Sequence, residues 1–142
     1  MSERILVPMD GSPLSRRAFS FALEKHPDGS FLVLYVLDPI DAVYWAEGAG
    51  PNIANEWYDR ARERAESLFE DVRAEAEDCG VTLTCETAVG RPARTILRYV
   101  EERDVDHVVV GSHGRSGVSR VVLGSVTEDI MRHAGVPVTV VR

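Results

Sequence analysis

The chain has 142 residues, 44% of them apolar and 27% charged, with a formal net charge of −7. That length favours a single domain over residues 1–142 with a core of its own. The acidic balance argues against a nucleic-acid surface, and no apolar run approaches the roughly 20 residues of a membrane span.

Arg4 to Met9 (RILVPM) reads as a first strand. Ser12-Pro13 then opens a helix, serine at the N-cap and proline at the first helical position, with Leu14, Ala18, Phe21 and Ala22 as its apolar stripe. Phe31 to Leu37 (FLVLYVL) is almost continuously apolar, as a strand buried on both faces of a parallel sheet must be. The stretch Asp38 to Pro51 is bounded by prolines and broken by Gly48 and Gly50, and reads as a loop with at most one helical turn. In the next helix, Ile53 to Cys79, the residues Trp57, Ala61, Ala65, Leu68, Val72, Ala76 and Cys79 step by three or four along one face. Gly80 stands where a C-terminal glycine cap belongs. Val81 to Val89 alternates as a third strand, and a helix with Ala93, Ile96, Leu97 and Val100 inward follows. His107 to Val110 is the fourth strand, a helix begins near Ser125, and Val138 to Val141 is the fifth strand.

Strict alternation of strands and helices predicts an α/β fold: a doubly wound five-stranded parallel sheet with helices on both faces. Two strand orders suit it, 3-2-1-4-5 and 2-1-3-4-5. Ligands of such sheets sit beyond the carboxyl ends of the strands, where the order reverses. Only two strand ends carry glycine and polar groups leading into capped helices: Asp10-Gly11-Ser12 and the segment Gly111 to Ser125. These strands are neighbours in the order 3-2-1-4-5, which is therefore the expected one.

The second of those segments, GSHGRSGVSRVVLGS, spaces Gly111, Gly114, Gly124 and Ser125 as G-x2-G-x9-G-S. Glycines allow a ligand to approach the backbone, and a helix N-terminus favours negative charge, so the segment is a candidate phosphate holder. Arg115 and Arg120 could neutralise phosphate charge, although Arg120 reads more simply as a solvated residue. Ser125 also begins the capping box Ser125-Val126-Thr127-Glu128 and would serve as a cap. Asp10 could accept hydrogen bonds from ribose hydroxyls or help cap the first helix.

Other signatures are absent from the sequence. There is no Walker-type phosphate loop, no G-x-S-x-G nucleophile elbow and no dinucleotide glycine fingerprint. No pair of residues reads as general base and nucleophile, so no catalytic residue is assigned. The four histidines are scattered, no Cys/His spacing resembles a zinc site, and Cys79 and Cys85 are expected to be reduced thiols. Met1 to Asp10 lacks the shape of a secretory signal, so the expected address is the cytoplasm. Of the 16 basic residues only Lys25 is a lysine, a bias that either a high-salt cytoplasm or GC-rich coding would produce.

Over essentially its whole length the chain resembles the universal stress proteins. The resemblance is carried by the opening RILVPMDGSPLSRRAFSFAL, the G-x2-G-x9-G-S spacing, the GSVTE after it and the final PVTVV. It implies membership of the ATP-binding branch, with ATP or another adenine nucleotide accompanied by magnesium or manganese. It would place Pro8 and Asp10 near adenine and ribose, and the Val36 backbone against adenine. Gly111, Gly114, Gly124 and Ser125 would hold ribose and phosphates, with a backbone N–H from Val126. The function implied is a nucleotide-binding stress-response module; the alternative is a slow metal-dependent ATPase or phosphate-transfer enzyme. A response-regulator-like phosphoacceptor would need an Asp ending the third strand and a Lys ending the fifth, and neither is present. The fifth strand, Val138 to Val141, would lie at a sheet edge with little to protect it, which together with the resemblance predicts a homodimer through that strand.

Overall fold

The computed structural model describes residues 2–46, 53–113 and 123–142. Five strands form one parallel sheet in the order β3-β2-β1-β4-β5. They are β1 (Arg4–Pro8), β2 (Ser30–Leu37), β3 (Thr82–Val89), β4 (His107–Gly111) and β5 (Val138–Val141). The expected order 3-2-1-4-5 is the observed one. The helices are α1 (Pro13–Lys25), α2 (Pro39–Ala46), α3 (Ile53–Cys79), α4 (Pro92–Glu102) and α5 (Ser125–His133).

The two faces of the sheet carry two cores. On one, α1 and α3 cover Ile5, Val7, Phe31, Val33 and Val109. On the other, Ile96 and Val100 of α4 and Ile130 of α5 cover Leu6, Leu34, Val108 and Val110. Alternate residues of β1, β2 and β4 thus enter opposite cores, which is why these strands read as unbroken apolar runs.

The α1 start is built as expected. Ser12 is the N-cap, its hydroxyl accepts the Ser15 N–H at 3.2 Å, and Pro13 is the first helical residue. The buried stripe is turned from the expected one: Ser15, Ala18, Phe19, Ala22 and Leu23 face the sheet, while Phe21 only packs at its margin. The step from Ala18 to Phe21 fits a helical repeat, but Phe19 and Leu23 lie closer to the centre of the face. On α3, the stripe from Trp57 to Ala76 is buried, with Phe69 added to it. Cys79 ends this stripe exposed, because the helix stops there and Gly80 turns away at φ +68°. Both cysteines are free thiols, and partial burial pushes the Cys85 thiol above its ordinary pKa.

The expectation of a loop after β2 is corrected. Residues Pro39–Ala46 form the helix α2. The reason was present in Asp38-Pro39: the Asp38 carboxylate accepts the Ile40 N–H at 3.0 Å, and Pro39 occupies the first helical position, where its missing N–H costs nothing. Among the described residues no helix is long and apolar enough to cross a membrane.

Candidate functional site

The site begins with a gap in the sheet. The β1–β4 pairing holds at Ile5–His107 and Leu6–Val108, yet β1 continues to Pro8 and β4 to Gly111. Pro8 has no N–H to contribute to a ladder, and the Met9 N–H turns to Leu34 O on the β2 side at 2.9 Å. The carboxyl ends of β1 and β4 therefore part at the point where the strand order reverses.

A cleft of about 630 Å³ opens there. Pro8 at the end of β1, Asp10 just after it, Val36 of β2, Gly111 at the end of β4, and Gly124, Ser125 and Val126 at the start of α5 all line it. These are seven of the eight residues singled out from the sequence. The eighth, Gly114, lies outside the described residues, as do Arg115 and Arg120.

The joint between β4 and α5 is tightly bonded. The Ser112 N–H donates to Val141 O and the Gly124 N–H to Ser112 O, both at 2.8 Å. The buried Thr127 hydroxyl donates to Gly111 O at 2.7 Å. These bonds aim the N-terminus of α5 into the cleft. The first backbone bond of that helix runs from Glu128 N–H to Gly124 O at 2.9 Å. The N–H groups of Ser125, Val126 and Thr127 thus precede the helix's own ladder and, with its dipole, favour an anion.

Two details differ from expectation. The N-cap of α5 is Gly124, with no side-chain cap bond, and Ser125 is the first helical residue, exposed. The capping-box role of Ser125 is thereby withdrawn, because a hydroxyl already inside the helix is not in the cap position. The glycines also serve packing. Gly124 has an ordinary φ of −63°, but a Cβ there would lie 3.2 Å from Ser112 O and His113 Cα. A Cβ on Gly111 would meet the Leu14 backbone at 3.3 Å, so glycine lets α1 approach the end of β4.

Across the cleft Asp10 is held in a turn: its Oδ1 accepts the Ser12 N–H at 2.9 Å, so it does share in shaping the α1 entry. Gly11 makes that turn at φ +82°, a left-handed conformation that suits glycine. The far wall comes from α3, where Trp57, Ala61 and Arg64 line the cleft. Arg64 was not singled out from the sequence. The signal existed, since it stands three residues after Ala61 on the same side of the helix, but an exposed arginine in an arginine-rich helix reads as a solvated face.

The sequence profile of the universal stress protein family matches residues 1–142. Universal stress protein MJ0531 of Methanocaldococcus jannaschii is 32% identical over 143 aligned residues, which span 99% of this chain and 82% of that protein. The solved structure of the hypothetical protein MJ0577, from the same organism, superposes with a TM-score of 0.84 at 29% identity, over 99% of this chain and 96% of that one. A universal stress protein family protein of Arabidopsis thaliana, solved with AMP bound, superposes with a TM-score of 0.71 at 22% identity, over 98% of this chain and 90% of that one, a likeness of fold. With the profile matched from end to end and a relative 32% identical over 99% of this chain, the chain belongs to the universal stress protein family.

Proposed function

We propose that this chain binds an adenine nucleotide, ATP, in the cleft at the β1–β4 crossover and acts as a nucleotide-loaded regulatory module in stress responses. The observation that carries the reading is the meeting of Pro8, Asp10, Val36, Gly111 and the α5 N-terminus around one cleft of about 630 Å³. That volume lies within the usual range for small-molecule sites. The AMP bound to the Arabidopsis relative supports the ligand class. In this reading Val36 offers backbone groups to adenine and Asp10 accepts from the ribose. Gly124, Ser125 and Val126 hold phosphate through backbone N–H groups and the Ser125 hydroxyl; Gly114, outside the described residues, is assigned to the same phosphates on the G-x2-G-x9-G-S spacing. Arg64 brings positive charge from the far wall. Magnesium or manganese would need hard oxygen donors, and Asp10, Asp38 and Asp41 supply carboxylates on the cleft wall.

Calorimetric titration of ATP into nucleotide-free protein tests the binding, and mass spectrometry of small molecules released on denaturation identifies what the chain carries. Saturable adenine-nucleotide binding at one site per chain is expected. Its absence at millimolar ATP would end the proposal.

Ser125→Ala gives a sharper result than the capping box implied. Because Ser125 is exposed and stands inside α5 rather than at its N-cap, stability should change by less than about 0.5 kcal/mol. Affinity for ATP should fall roughly tenfold, about 1.4 kcal/mol. A lower melting temperature with unchanged affinity would reverse both assignments.

The proposal includes a homodimer through β5. This strand lies at the sheet edge, with β4 as its one neighbour in the sheet among the described residues. Pro137 O and Val141 O accept the N–H groups of Val108 and Ser112, at 3.0 and 2.8 Å. Backbone groups alternate along a strand, so Val138 and Val140 turn theirs outward. Two such edges related by a two-fold axis pair antiparallel and close. Val140→Pro removes an outward N–H and no bond to β4. Sedimentation equilibrium should show a wild-type dimer and a monomeric variant of native fold; a variant dimer as tight as wild type would place the interface elsewhere.

A further inference from the structure

At the end of the sheet opposite the cleft, three residues far apart in sequence meet. Glu3 precedes β1, His26 follows α1, and His107 opens β4. Glu3 Oε1 lies 3.4 Å from His26 Nδ1 and 3.4 Å from His107 Nδ1. The three candidate ligand atoms all fall within 4.8 Å of one another. The imidazoles meet edge to face, with centroids 5.1 Å apart.

The spacing is that of a coordination shell. A tetrahedral zinc ion with bonds of about 2.0–2.1 Å separates its ligand atoms by about 3.3 Å. Both separations from Glu3 already match that edge, and the two imidazole ligand atoms lie within 4.8 Å of each other. Two imidazole nitrogens and one carboxylate oxygen are a donor set suited to zinc and its neighbours rather than to calcium or magnesium.

The surroundings support the ligands. His107 Nε2 lies 2.7 Å from the Thr139 hydroxyl of β5. With Nδ1 on a metal, Nε2 carries the ring proton, and Thr139 is placed to accept it, the kind of outer-shell bond that fixes a ligating histidine. Glu3 O accepts the Ser30 N–H at 2.9 Å, and the next residue is fixed by Arg4 N–H donating to Asp106 Oδ2 at 2.8 Å. The His26 backbone is fixed at both ends: its amide N–H donates to Ala22 O at 3.0 Å and its carbonyl accepts the Gly29 N–H at 2.9 Å. The Glu3 side chain is 44% exposed and the imidazoles 19% and 18%, so an ion and a fourth ligand can enter from solvent.

We propose that Glu3, His26 and His107 form a site for a divalent transition-metal ion of the zinc class, with three protein ligands and a fourth position open to solvent. A bound ion ties the start of β1, the end of α1 and the start of β4 together, and reaches β5 through Thr139. It acts as a clamp at the end of the sheet away from the nucleotide cleft, and it stands independently of the nucleotide reading.

The test is calorimetric titration of zinc ion into the full chain, with cobalt ion as a spectroscopic substitute. Wild type should bind one zinc ion at this site and, with cobalt, show the visible absorption of a tetrahedral centre. Glu3→Gln and His26→Gln each change a residue outside the strands, so the fold survives them; each should weaken zinc at least tenfold. His133→Gln should bind as wild type does. A hundredfold excess of zinc over Kd should raise the wild-type melting temperature by roughly 5–10 °C, and at the same zinc concentration this rise should shrink to about half or less in Glu3→Gln. A wild type that takes up no zinc overturns the proposal and leaves a plain carboxylate–imidazole cluster. Glu3→Gln and His26→Gln that keep wild-type affinity overturn it as well, moving the metal elsewhere on the chain.

Discussion

Gly124→Val is expected to weaken ATP binding at least tenfold, a loss of about 1.4 kcal/mol or more. The cause is space rather than backbone conformation. With φ at −63°, Gly124 could be any residue on conformational grounds. Its missing Cβ matters because Ser112 O and His113 Cα would stand 3.2 Å from it, both of them backbone atoms that cannot rotate aside. Alanine asks that joint to give by a few tenths of an ångström, and valine adds two further carbons. The joint is the one that aims α5 into the cleft, through Gly124 N–H to Ser112 O and Thr127 to Gly111 O. Displacing it would move the Ser125 and Val126 N–H groups away from the phosphates they are proposed to hold, and stability should fall by about 1–3 kcal/mol from overpacking. Gly124→Ala should lie between wild type and valine in affinity. Titration of ATP into each variant, with circular dichroism to establish folding, reads the effect. A folded valine variant that binds as wild type would detach the α5 N-terminus from the ligand.

Phe19→Ala should be among the most destabilising single changes in the chain, at about 3–5 kcal/mol. Phe19 is fully buried on α1 and meets Phe31 of β2 edge to face, with ring centroids 6.4 Å apart. Removing it takes away a large apolar surface and leaves a cavity between the helix and the centre of the sheet, where neighbours from three strands are held in register and collapse little. Against a typical domain stability of about 5–15 kcal/mol, that loss is a large share. In urea the midpoint should fall with an unchanged slope. A loss below about 1 kcal/mol would mean that α1 is not anchored where the structure has it. The variant separates stability from binding: the folded fraction should keep its affinity for ATP, because Asp10 and Ser12 stand on the far side of the α1 start.

The legible parts of the fold were those decided by burial on a whole face. Phe31 to Leu37 could only be a central strand, and the stripe from Trp57 to Ala76 could only be one helical face. Strand order followed from where the glycines lay, because chemistry at two strand ends requires those strands to be neighbours. Local rules that compete were harder to weigh. Asp38-Pro39 reads as a loop boundary, yet the same two residues cap and open α2. Ser125-Val126-Thr127-Glu128 matches a capping box, yet the helix begins one residue earlier, with Thr127 bonded to Gly111 O. Arg64 stands a helical step from Ala61, but that this side of α3 meets the cleft depends, like the Glu3–His26–His107 cluster, on which elements pack side by side.

The central claim is that an adenine nucleotide occupies the cleft at the β1–β4 crossover. A titration of ATP into isotope-labelled protein, followed by amide chemical shifts, reads its location directly. Saturable shifts are expected, centred on Asp10, Val36, Gly111, Gly124, Ser125 and Val126, with the amides around Glu3, His26 and His107 at the opposite end of the sheet left in place. An absence of saturable shifts at millimolar ATP, or shifts centred away from the carboxyl ends of β1 and β4, would contradict it.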